Sequence, residues 1–341
     1  MYIMLIRKSI ILLTICILIL GTELSIGQYS SFPAGNPVEL GKVHWFRNYD
    51  EAVALSRKEQ KSILILFQEV PGCSNCTRYG NEVLSHPLIA EAIESFFIPL
   101  CIYNNKAGHD KKILQQFNEP SWNNPVLRII NQDGKDIIPR QADFRSKSKA
   151  LESITQGLLL SGKEIPGYLR LLTEEFTAED NSRTDEIYLS MYCFWSGEKN
   201  IGTIDGVIST EAGYMHGKEV VKVRFDKSKT SIDKIATNAS KSSNADAVFG
   251  GVHHQTRVPV KPVGPYRKDK EDKYYLRSSP YAVIPMTAMQ KTKVNAAIAK
   301  SDNPEIFLSP AQLQILKNKK TLINTTDMEI TDIWYHKTSS K

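Results

Sequence analysis

The chain has 341 residues, a length that favours two cores over one. Its formal charge of +6 comes from 43 Lys and Arg against 37 Asp and Glu, partly in mixed runs such as residues 261–277, where Asp269, Glu271 and Asp272 interrupt the cations. Such a run reads as a solvated face. A nucleic-acid-binding class would need a one-signed stripe with interleaved aromatics, and that is absent.

Arg7 and Lys8 precede an apolar run over residues 10–20, and Ser25 and Gly27 follow as small residues at the spacing of a cleavage site. This is the pattern of a secretory signal peptide over residues 1–27, cut before Gln28, and it predicts export to a periplasmic or extracellular space. The alternative is an uncleaved N-terminal membrane anchor, but the run is about 11 residues, short of the ~20 that span a bilayer. The mature chain would keep Cys73, Cys76, Cys101 and Cys193, too few for a disulfide-stapled scaffold.

Residues 45–58 predict an amphipathic helix with Asp50 as its N-cap. Residues 62–67, Ser-Ile-Leu-Ile-Leu-Phe, form a continuous apolar run of the kind buried on both faces of a sheet. Val70-Pro-Gly-Cys73-Ser-Asn-Cys76 follows directly. Residues 78–84 and 87–96 read as helical, residues 97–103 and 126–130 as strands, and Asn131 to Gly134 as a turn. The alternation predicts an open α/β domain over residues 38–148.

A Cys-x-x-Cys pair between a strand end and a helix start puts the first thiol where unpaired backbone N–H groups favour the thiolate. The second thiol, one turn on, can close a disulfide with it. A zinc half-site and a static disulfide are the alternatives. The nearest histidines, His86 and His109, lack ligand spacing, and no metal is expected. Cys101, inside an apolar strand, reads as a core thiol. Trp122 and Glu119 read as surface or rim residues. These roughly 110 residues resemble the thioredoxin family. Trp45 and its helix stand where that family's opening segment stands, and Asn124-Pro125-Val126 resembles its cis-proline loop. The Val-Pro-Gly lead-in is similar to a thioredoxin-like group in which those residues precede a reactive selenocysteine or cysteine.

Residues 149–184 predict a helical linker that either closes the first domain or bridges to a second, with a boundary in the polar stretch 177–185. A second domain over 185–320 follows, and a tail over 321–341. In this domain Cys193-Phe194-Trp195 ends a strand. Gly206-Val-Ile-Ser-Thr-Glu-Ala-Gly-Tyr214 comes next, then the alternating strand 218–226 with Glu219, and later Tyr274-Tyr-Leu-Arg277-Ser278 before an expected apolar strand and helix. In this order and at these gaps the pieces resemble peptide methionine sulfoxide reductase of the A type, over about 120 residues. The resemblance implies an α+β domain with a ferredoxin-like core. It implies Cys193 as nucleophile and Glu219 as the acid that protonates the sulfoxide oxygen, with Tyr275 and Asp272 as further catalytic residues. Phe194, Trp195 and Tyr214 would bind the substrate. Tyr192 and Ser196 stand where the family carries glycine, and its long glycine-rich loop is reduced to the residues between Tyr214 and Glu219. The domain is therefore either a trimmed, active member or a relative without the reaction. His253 and His254, adjacent and without a spaced carboxylate, read as loop residues.

No cysteine follows Cys193 to resolve a sulfenic acid on it. The expectation is an exported reductase of oxidised methionine in proteins or peptides. Cys73 and Cys76 would be its internal reductant, with no cofactor beyond an external thiol or thioredoxin-type donor. The alternative is a disulfide oxidoreductase whose second domain only binds.

Overall fold

The computed structural model describes residues 35–142, 146–250, 256, 258–317 and 323–338. The predicted signal peptide and the His253-His254 pair lie outside them. No helix among the described residues is long and apolar enough to cross a membrane.

The first sheet is built on β1 (Ile63–Gln68), with β2 (Ile98–Tyr103) parallel on one side and β3 (Val126–Ile130) antiparallel on the other. Isolated bridges extend it at both edges, Phe46 with Leu100 and Leu127 with Gln141. Every residue of β1 is buried because both faces are covered. Ile63, Ile65 and Phe67 face α1 (Tyr49–Glu59) and α4 (His109–Gln116). Leu64 and Leu66 alternate to the other face. There they meet α3 (Pro87–Phe96), α5 (Lys147–Leu160) and α6 (Gly167–Asp180). The cap of α1 is Asn48 rather than the expected Asp50: Asn48 is extended, and its side chain accepts from the N–H groups of Asp50 and Glu51. The short helix α2 (Ser74–Tyr79) follows the Cys-x-x-Cys loop and runs into a π turn at Gly80–Leu84.

The helices expected as a linker belong to this first core. Leu151, Ile154 and Leu158 of α5, and Tyr168, Leu169 and Leu172 of α6, close its outer side. The expected tail also departs from its description. In α12 (Ile330–Thr338) the apolar residues Ile330, Ile333 and Trp334 recur at helical spacing. Ile330 and Trp334 enter the first core, and Trp334 is 1% exposed.

The second sheet comprises β4 (Thr184–Ser190), β5 (Val207–Met215), β6 (Lys218–Asp226), β7 (Ala247–Phe249), β8 (Val260–Lys261) and β9 (Tyr266–Lys268). Its spatial order is β8-β7-β4-β6-β5-β9. Helix α7 (Phe194–Ile201) joins β4 to β5, and α8 (Ile232–Ser243) joins β6 to β7. The chain thus runs β-α-β-β-α-β, with neighbouring strands β7, β4, β6 and β5 all antiparallel. Ile187, Leu189, Val221 and Val223 pack against Phe194, Ile201, Ile235 and Ala236 on the helical side.

A strand was expected after Ser278. After the four-residue helix α9 (Tyr274–Arg277) the chain instead forms a 3-10 turn at Pro280–Val283, with Pro280 in its first turn and Ser279 capping it. Helix α10 (Ala288–Lys300) and α11 (Pro310–Lys317) complete the chain's helices before α12.

The described residues form one compact unit, and buried polar contacts tie the helices of its two halves together. Glu91 of α3 accepts from the Ser309 hydroxyl at 2.6 Å and from the Ala311 N–H at 2.9 Å, at the start of α11. Glu175 of α6 accepts from the Met289 N–H at 3.3 Å, in the first turn of α10.

Candidate functional site

Cys73 is the residue that caps α2, in extended conformation, and it is exposed, whereas Cys76 is buried. Their Sγ atoms are 3.4 Å apart, both as free thiols. The loop before them is held by its surroundings. The Gly72 N–H donates to Glu39 Oε1 at 2.7 Å, and Asn105 contacts Val70 N and Pro71 O. A Cβ at residue 72 would lie 2.4 Å from the Glu69 carbonyl oxygen, so the close approach requires glycine there. From the opposite side the loop of Pro125, whose peptide bond to Asn124 is cis, brings Asn124 Oδ1 to 2.7 Å from Cys76 Sγ and 3.8 Å from Cys73 Sγ.

Burial pushes the Cys76 thiol up to about 12, with its neighbour Cys73 adding to the effect. At neutral pH Cys76 therefore keeps its proton, and the exposed Cys73 is the sulfur that an incoming group meets. Cys101 lies in β2 with its thiol also raised to about 12 by burial, in keeping with a core role. Trp122, on the loop before Pro125, is exposed as expected. Glu119 is not a rim residue. Its side chain is fully buried and paired with Arg128 and Arg140, each at 2.7 Å, so its negative charge is neutralised inside the fold.

The second cluster gathers at the end of β4. Cys193 caps α7 and is part-buried. Glu219, on the adjacent strand β6, accepts from the Phe194 N–H through Oε2 at 2.9 Å, and its backbone oxygen accepts from Met191 N–H. The strand pairing thus holds the Glu219 carboxylate against the backbone of Phe194, the residue that follows Cys193. The Phe194 ring meets Trp195 and Tyr214, both at 5.4 Å between centroids. Trp195 stacks on Tyr274 at 4.4 Å, and Tyr274 meets Tyr275 edge to face. Tyr275 is raised by burial and by the neighbouring Cys193. Tyr214 is raised by burial and by Asp269 and Glu219, while Arg267 lies over its ring. Trp195 Nε1 is buried without a hydrogen-bond partner among the described residues. Tyr192, next to Cys193, is 88% exposed.

Asp272 is part of a different group. It accepts from the Ala212 N–H at 2.9 Å and pairs with Lys273 at 3.1 Å and Lys268 at 3.4 Å. Lys273, in left-handed conformation, also pairs with Glu198 of α7 at 2.6 Å. Both carboxylates hold Lys273 charged, although its burial opposes this. The run read as a solvated face is therefore buried at Asp272 and Lys273, because the loop folds back onto α7. This group ties the segment that carries Tyr274 and Tyr275 to the helix that Cys193 caps.

The structure brings together Cys73, Cys76 and Pro125 in one place. In another it gathers Cys193, Glu219, Phe194, Trp195, Tyr214 and Tyr275, and it sets Asp272 in the ion-pair group. Sequence reasoning missed Glu39, Glu69, Glu198 and Lys273, and it quoted Asn124 and Tyr274 within motifs without giving either a role. Glu198 lies on a helix whose inward residues are otherwise apolar, and a charge there signals an internal partner. Among the described residues one group has donors close enough to hold a metal ion: Glu69, Cys73 and Cys76, with ligand atoms within 4.8 Å of one another.

Residues 44–132 match a family model described as thioredoxin-like. A thioredoxin from Thermus thermophilus aligns at 19% identity over 35% of this chain and 90% of its own, with a TM-score of 0.31. A DsbH oxidoreductase aligns at 16% identity over 38% of this chain and 94% of its own, also with a TM-score of 0.31. No curated protein matches the sequence. Residues 44–132 are thus thioredoxin-like, with the Cys73/Cys76 pair inside the match and Cys193 beyond it.

Proposed function

We propose that the chain is an exported, thiol-dependent reductase of methionine sulfoxide in proteins or peptides, with Cys193 as nucleophile and the Cys73/Cys76 dithiol as its reductant. The observation that carries the reading is the Cys193 cluster. Cys193, part-buried at a strand-to-helix turn, is followed by Phe194, whose N–H donates to the Glu219 carboxylate and whose ring meets Trp195 and Tyr214 in an aromatic wall. The β-α-β-β-α-β path and sheet order agree with a ferredoxin-like core.

In this reading the aromatic wall takes the substrate's methyl group, and the unpartnered Trp195 N–H and the Tyr275 hydroxyl face the sulfoxide oxygen. Glu219 protonates that oxygen as the Cys193 thiolate attacks sulfur. The sulfoxide sulfur gains two electrons and leaves as a thioether, while Cys193 loses two and becomes a sulfenic acid. The Cys73 thiolate then attacks the Cys193 sulfur, the S–O bond breaks and water leaves. Cys76 displaces Cys193 from the mixed disulfide, forming the Cys73–Cys76 disulfide that an external thiol donor reduces. The exposed position of Cys73 and the buried one of Cys76 suit the attacking and resolving roles. The partners are oxidised polypeptides and an upstream reductant, and no cofactor takes part.

Turnover of a peptidyl methionine sulfoxide by the intact chain with a thioredoxin-type reductant tests the proposal. Activity should vanish in Cys193→Ser and stop after one turnover in Cys73→Ser. Full multi-turnover activity in Cys73→Ser would refute the relay. Failure of the wild type to reduce sulfoxide, with insulin-type disulfide reduction intact, would favour the alternative of a disulfide oxidoreductase with a non-catalytic binding domain.

A further inference from the structure

We propose that the reduced Cys73/Cys76 pair, together with Glu69, is a three-ligand site for a zinc-type divalent cation. The site does not depend on the sulfoxide reading. Its two sulfurs are 3.4 Å apart, and the Glu69 carboxylate lies within 4.8 Å of both. Around a tetrahedral zinc, with bonds of ~2.3 Å to sulfur and ~2.0–2.2 Å to oxygen, ligand atoms stand about 3.3–3.8 Å apart. The sulfurs already have nearly this spacing, and the carboxylate reaches it by side-chain rotation at the end of β1.

The donor set fixes the class of ion. Two thiolates disfavour Mg²⁺ and Ca²⁺, which take oxygen ligands. A mixed sulfur–oxygen set with three protein ligands suits Zn²⁺ with a fourth position open to solvent. Asn124 Oδ1, 2.7 Å from Cys76 Sγ, is a neutral oxygen beside the site. The backbone between the ligands is held in place by Glu39 and Asn105, so little ordering remains to be done on binding. Exposed Cys73 opens an entry path.

Binding displaces one proton from each thiol and moves no electrons: Zn²⁺ and two R–SH give Zn(SR)₂ and two H⁺. Because two protons are released, affinity should rise with pH. The disulfide lacks both thiolates and binds no ion. Metal and disulfide therefore exclude each other, and the ion takes the dithiol out of exchange while it is bound.

The test uses the full chain, reduced and freed of metal, titrated with Zn²⁺ against a chromophoric chelator and with Co²⁺ as a spectroscopic stand-in. One equivalent should bind, with a thiolate-to-cobalt charge-transfer band, and Zn²⁺ should protect two thiols from alkylation. Cys73→Ser and Cys76→Ser should each abolish this. Glu69→Gln, with unchanged circular dichroism and thiol count, should weaken Zn²⁺ binding by at least ~10-fold, the loss expected from disturbing even a supporting group at a metal. Unaltered affinity in Glu69→Gln would overturn the three-ligand site. Uptake that survives either serine variant would reduce the binding to adventitious surface ions. Absence of one-equivalent uptake by the wild type would overturn the proposal entirely.

Discussion

Glu175 lies on α6, 4% exposed, with its carboxylate against the first turn of α10. Burial raises its pKa from the ordinary 4.5 to about 7, with Glu179 adding to the rise and the contacts to Thr287 and Met289 opposing it. One carboxylate oxygen has no hydrogen-bond partner among the described residues. The folded state therefore keeps a proton that the unfolded state has lost between 4.5 and about 7. The stability from this group is fully present below 4.5 and is lost as pH rises through about 7. At ~1.4 kcal/mol for each tenfold change in proton affinity, the span comes to about 3 kcal/mol. Glu175→Gln keeps an oxygen for the Met289 N–H and removes the charge. Urea unfolding at a series of pH values should show the variant close to wild type at pH ~4.5 and more stable by up to about 3 kcal/mol above pH ~8. A stability difference that stays flat across this range would refute the reasoning, since a Glu that ionises freely in the folded state gives no such slope.

Glu219→Gln preserves an acceptor for the Phe194 N–H and removes the acid. Single-turnover sulfoxide reduction should slow by about 10²- to 10⁴-fold, the range for loss of a general acid, without loss of folding. Lys273→Met leaves Glu198 and Asp272 facing each other in the interior, so stability by denaturant titration should fall by about 3–5 kcal/mol. Trp334→Ala should cost about 3–5 kcal/mol, because it opens a cavity in the first core. A variant ending before α12 should lose protection of the thioredoxin-like sheet in hydrogen exchange.

The dithiol was legible because its signal is local. A buried strand, a tight loop and two cysteines one turn apart lie within fifteen residues, and strand β1 and the 218–226 strand appear where their apolar patterns put them. The expected partners of Cys193 were placed by resemblance, and β4 and β6 do bring Glu219 beside Phe194. Other groups left no local trace. Glu119 looked like a loop residue until Arg128 of β3 and Arg140 of the segment that follows came to it. Residues 330–338 looked like a tail because Ile330, Ile333 and Trp334 form only one short stripe, and the surface that buries it comes from the other end of the chain.

The sequence by itself determined the placement of two thiols one turn apart after a buried strand and the alternation of strands and helices in the first half. These depend on residue type and on spacings of two to four residues, which the backbone geometry turns directly into a face or a turn. Only the tertiary structure decided that Glu198, Lys273 and Asp272 form one buried charge group, that Glu69 comes within reach of both thiols, and that the last helix completes the first core. Each of these turns on which chain segments meet. A buried charge is tolerated, and a short apolar stripe becomes stable, only when a distant segment supplies the partner.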